Sequence, residues 1–140
     1  MKNKVSATAL LEDAKIILEE AHYSLERGHW HRVVRKSQEA TELSIKGLFK
    51  YLGLEYPKSH ILGKVIKKEL GKHGLFNREE LNRMAFISDA LAFDREPSFY
   101  GSLNGESASS LFEKEDAVEA LKNSEWVVER IESVLSLSRA

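Results

Sequence analysis

The chain has 140 residues, a formal net charge of −1, 42% hydrophobic and 31% charged residues, and no cysteine. That length fits one compact domain, residues 1–140, able to bury roughly 70% of its unfolded surface, and the composition lies outside the disordered class. The missing cysteine excludes disulfides, thiolate nucleophiles, cysteine-ligated zinc and iron–sulfur clusters, and the near-neutral charge excludes a globally basic nucleic-acid binder.

Charge is nonetheless uneven along the chain. Residues 1–75 hold 14 Lys+Arg against 9 Asp+Glu, and residues 76–140 hold 7 against 13. Such halves either satisfy each other in the fold or leave a basic face for a polyanion. The N-terminal segment reaches Glu12 and Asp13 before an apolar run attains signal-peptide length, and no stretch approaches the roughly 18 uncharged residues of a membrane span. The expectation is a cytoplasmic protein without a membrane partner.

The dominant period is helical. Ala7, Leu10, Ala14, Ile17, Ala21 and Leu25 step by three and four, drawing the apolar face of a first helix that stops near Gly28. From Trp30 a second helix carries Val33, Ser37, Ala40, Ser44 and Gly47 on one stripe and runs toward Gly53. Side chains this small predict a close helix–helix contact, within the chain or with a second copy. A turn around Tyr56, Pro57, Lys58 and Ser59 precedes a shorter helix from about His60 to Leu70, stopped by Gly71 and Gly74. Asn77 with Glu80 three residues on has the form of a capping box, opening a helix that turns Leu81, Met84, Ser88 and Leu91 inward and ends near Phe93. Residues 94–112 show no sustained period and are a candidate site on length alone. A last helix, from about Lys114 to Leu137, aligns Ala117, Ala120, Ser124, Val127, Ile131 and Val134. No strand pattern competes, so the predicted fold is all-α, an antiparallel up-and-down bundle of four long helices and one short one.

Chemical motifs are sparse. The histidines His22, His29, His31, His60 and His73 form no HExxH pair, and His29 with His31 would hold a metal only with carboxylates from elsewhere. Neither a glycine-rich phosphate loop nor a triad signature is present. Lys58, Lys64, Lys67, Lys68 and Lys72, with His60 and His73, make the densest basic patch, either a phosphate-neutralising face or a solvated one. In Asp94 to Gly101, Arg95 offers a bidentate contact to phosphate or carboxylate and Tyr100 a hydrogen bond. Alternatively Arg95 ties down its loop through Asp94, Glu96 or Glu42.

These residues also carry a resemblance. Gly28 and Trp30 followed by SQEATELSIKGLFKYLG, then PKSHIL, DREPSFYG and FEKEDAVEAL, resemble in order the segments of the HEPN domain family, the nucleotide-binding domain of higher eukaryotes and prokaryotes. The resemblance implies a helical homodimer, often paired with a minimal nucleotidyltransferase as a toxin–antitoxin partner, and in many members a metal-independent ribonuclease motif of arginine, four to six residues, then histidine. Arg95 takes the arginine position here, yet Tyr100 stands five residues on and no histidine follows His73. Tyrosine, with a reference pKa near 10, is a poor proton exchanger at neutral pH where histidine near 6.5 is a good one. The resemblance therefore implies nucleotide, RNA or nucleotidyltransferase binding without the usual ribonuclease motif. Arg95 and Tyr100 are the candidate functional pair, and Asp94, Glu42 and Lys46 the further ligand-binding candidates, with no metal and no cofactor called for. The alternatives are an active ribonuclease using Arg95 and Tyr100, and a non-catalytic dimeric scaffold.

Overall fold

A computed structural model describes residues 3–58 and 61–137. In chain order the elements are α1 (Lys4–Glu26), α2 (Trp30–Leu52), α3 (Gly63–Val65) running into a π-helical turn (Ile66–Leu70), α4 (Arg78–Phe93), α5 (Pro97–Tyr100), α6 (Ala108–Leu111) and α7 (Lys114–Leu137). No strand occurs among the described residues, and none of the described helices is long and apolar enough to cross a membrane.

The four long helices alternate in direction. Lys36 pairs with Glu20 and Gly47 sits on Ala7, so α1 and α2 are antiparallel; Lys15–Glu132 and His22–Glu125 set α1 against α7 in the same sense. Arg83 stacks on Trp126, 4.1 Å from its ring centroid, and Glu80 pairs with Arg130 at 3.9 Å, so α4 is antiparallel to α7. The small-residue stripe of α2 is fully used within the chain. A Cβ on Gly47 would lie 3.1 Å from the Ala7 carbonyl oxygen, which is how close α1 comes. On the same stripe Ser124 Oγ donates to the Ser37 carbonyl at 2.9 Å and accepts from Thr41 Oγ1 at 2.9 Å, bolting α7 to α2 where all three residues are buried.

Local signals set the element ends. Asn77 accepts from the Glu80 N–H at 2.8 Å while Glu80 accepts from the Asn77 N–H at 2.9 Å, completing the expected capping box. Gly53 closes α2 with φ at +72, a conformation costly for any residue with a Cβ. Three expectations need correction, and a fourth falls on residues that are not described. Leu11 and Leu18, not Leu10 and Ile17, are the leucine-type residues α1 buries, because α1 packs between α2 and α7 and its contact face is rotated by about one residue. In α7, Leu135 is buried and Val134 only partly so. The short helix is seen from Gly63, and its expected start at Ser59 and His60 lies outside the described residues. Residues 94–112 are not irregular throughout: Pro97, pre-set for a first helical position, opens the single turn α5, and α6 adds another.

Candidate functional site at the α4 to α7 connection

The α1–α2 turn and the connection from α4 to α7 share one end of the bundle. Asp94 caps α4, and the chain then turns so that the Tyr100 N–H donates to the Glu96 carbonyl at 2.8 Å and Ser98 Oγ donates to the Arg95 carbonyl at 3.1 Å. Ser98 is buried and anchors the turn, while Arg95 and Tyr100 are exposed, Tyr100 to 76%. Gly101 then reverses the chain at φ +86, its neighbour Ser102 donating from its N–H to the Glu106 carbonyl at 2.9 Å.

A residue not singled out from the sequence holds this turn on α2. The guanidinium of Arg35 lies 3.6 Å from the ring centroid of Phe99, and that ring stands 4.4 Å from the ring of Tyr100. Arg35 is itself steadied by Glu39, one helical turn on, at 3.3 Å. The result is a stack of guanidinium and two rings, with Phe99 and Tyr100 45% and 76% exposed. The only sequence trace of it is an arginine one turn from a glutamate on the outer side of α2.

The other candidates separate into two places. Asp94 lines a cavity of about 310 Å³ together with Asp116, Glu119 and Leu111. Burial, and then the neighbouring Asp116, raises its carboxyl above the ordinary value. Glu42 and Lys46 lie around Tyr56: Lys46 Nζ is 5.8 Å from the Tyr56 ring centroid, and burial followed by the Glu42 charge pushes the Tyr56 hydroxyl well above its ordinary pKa. Gln38, Thr41, Glu42, Tyr56 and Ser88 line a pinhole of about 10 Å³, at most the space of one water. Glu42 and Lys46 thus form part of a polar seam between α2 and α4, and Arg95 with Tyr100 forms an outward-facing surface at its end. His29 and His31 stay at the α1–α2 turn, and among the described residues no group of three or more His, Asp and Glu is arranged to hold a metal ion.

The HEPN domain model matches this chain over residues 7–134. The chain belongs to the HEPN domain family. Membership places it among the nucleotide- and RNA-related functions of that family. The crystal structure of TT1696 from Thermus thermophilus superposes with a TM-score of 0.75 at 21% identity, over 91% of this HEPN chain and 97% of that one, a likeness of fold. No curated protein sequence matches at a comparable level.

Proposed function

We propose that this HEPN protein is a cytoplasmic homodimer that binds nucleotide or RNA phosphate at the Arg95–Tyr100 turn without cleaving it. The observation that carries the reading is the stack of half-buried Arg35 with the exposed rings of Phe99 and Tyr100, on the turn that follows Arg95. Cations supply phosphate contacts and exposed rings supply faces on which unpaired bases stack. The sequence places no histidine after Arg95 to exchange the proton of a 2′-hydroxyl. Fluorescence anisotropy with a short labelled RNA and with ATP tests it: Arg95→Ala and Arg35→Ala each weaken binding about fivefold or more, and the RNA stays intact. Unchanged affinity in both variants overturns the reading. RNA cleavage by the wild type that Tyr100→Phe abolishes establishes the ribonuclease alternative instead.

The homodimer is supported by a separate observation. Phe86 and Phe93, seven residues apart on the outer face of α4, are 70% and 78% exposed, with the small Ala90 between them. An apolar helix stripe of this kind is a pairing surface for a second copy or, in a toxin–antitoxin setting, for a nucleotidyltransferase. Phe86→Ser with Phe93→Ser lowers the mass in light scattering from dimer to monomer; an unaltered dimer places the pairing elsewhere.

A further inference from the structure

The α1–α2 turn carries a second concentration of cations that the Arg95–Tyr100 surface does not use. Gly28, at φ +74, turns the chain so tightly that Arg27, the C-cap of α1, and Arg32, in the first turn of α2, line one cavity of about 610 Å³. Glu19, Glu20, Tyr23, His29 and Lys36 complete most of its wall, and none of its residues belongs to the 94–100 segment.

The charges in this cavity do not cancel. Glu20 is taken by Lys36 at 3.1 Å, which leaves Glu19 as the one carboxylate of the lining set against Arg27 and Arg32. Arg27 and Arg32 have no carboxylate partner within ion-pair distance among the described residues. Arg27 is instead stacked on Tyr23, 4.4 Å from its ring centroid. Stacking engages the flat face of a guanidinium and leaves its in-plane N–H donors unused. Beside the cavity, burial, then Arg32 and then His29, lower the His31 imidazole below its ordinary value.

We propose that this cavity is a phosphate-binding site in which Arg27 and Arg32 grip the oxygens from the two sides of the Gly28 turn. Two guanidiniums with uncommitted donors match a tetrahedral dianion better than a single carboxylate. The volume falls in the range of small-molecule sites and exceeds what a bare ion needs. The phosphate belongs either to a phosphorylated small molecule or to a nucleic-acid backbone entering the cavity. This inference does not depend on the Arg95 surface.

Calorimetric titration with inorganic pyrophosphate and, separately, with a short unstructured RNA tests it. The variants are Arg27→Ala with Arg32→Ala, Arg95→Ala, and Lys64→Ala with Lys68→Ala as a basic patch elsewhere on the surface. Arg27 and Arg32 are exposed, so the double variant folds, which circular dichroism checks. Its affinity for at least one probe falls about tenfold or more. The lysine variant keeps pyrophosphate affinity within about twofold, as expected for substitutions outside the site, and Arg95→Ala reads phosphate binding at the Arg95–Tyr100 surface separately. Pyrophosphate binding lost in the double variant identifies a phosphorylated small molecule; RNA binding alone lost there identifies a backbone phosphate. Absence of binding to both probes, or equal affinity in wild type and double variant, overturns the proposal.

Discussion

The guanidinium of Arg35 rests 3.6 Å from the centroid of the Phe99 ring, and this contact joins the middle of the connection between α4 and α7 to α2. With Phe99 45% exposed, the interaction sits at the weaker end of the cation–π range, about 0.5–1 kcal/mol. Arg35→Ala and Phe99→Leu should each lower stability by about that amount, and the double variant by less than the sum. Urea denaturation of the four proteins measures the coupling. Strict additivity would mean that the turn is held by Ser98 and the backbone alone.

Much of this arrangement is legible in the sequence, and the parts that are not share a cause. Element ends are set by local chemistry, so Asn77 with Glu80 and Gly53 announce themselves, and the small residues of α2 announce a close contact. Which partner takes that contact is a tertiary matter: Ala7 and Ser124 meet the stripe from distant parts of the chain. The same holds for Arg35 and Phe99. The π-helical turn at Ile66–Leu70 adds one residue to a helical turn without a compositional mark, and it changes the helical spacing within the basic patch that holds Lys64, Lys67, Lys68 and Lys72. Asp94 and Arg95 adjoin in the sequence, yet neighbours on a helical path point about 100° apart, and Asp94 lines the acidic cavity.

Ser124 is the hinge pin of the α2–α7 contact. Its hydroxyl accepts from Thr41 Oγ1 and donates to the Ser37 carbonyl, all at full burial or nearly so. Ser124→Ala strands the Thr41 donor and one carbonyl lone pair, at a cost of about 1–3 kcal/mol. Thr41→Val removes only the donor, and Ser124 keeps its bond to Ser37, so the loss is smaller. Thermal denaturation of the two variants checks the order; a larger loss for Thr41→Val contradicts the roles assigned.

Gly47 sets how closely α1 can lie on α2. A methyl group there would meet the Ala7 carbonyl oxygen at 3.1 Å and Leu10 Cβ at 3.4 Å, and the first of these belongs to backbone that cannot rotate aside. Gly47→Ala gains about 1 kcal/mol of helix propensity and loses about 1–3 kcal/mol to overpacking. Net destabilisation is expected, growing further for Gly47→Val. A Gly47→Ala protein more stable than wild type would show that α1 shifts at little cost.

The half-buried carboxyl of Asp94 makes stability depend on pH in a stated direction. Its folded pKa is raised by burial and by Asp116, so the folded state holds the proton more tightly than the unfolded chain. Stability from this group is therefore present below the unfolded pKa of about 3.9 and declines as pH rises through the folded value. At neutral pH the ionised Asp94 is a net cost, limited by its partial exposure to well under about 1 kcal/mol. Asp94→Asn should raise the melting temperature at pH 7 and lose that advantage toward about pH 3.5, below the unfolded pKa. Asp116→Asn should reproduce part of the gain by removing the neighbouring charge. Melting curves across this range give the answer: an advantage for Asp94→Asn that is equal at both ends of the range would assign the effect to packing of the amide and not to the proton.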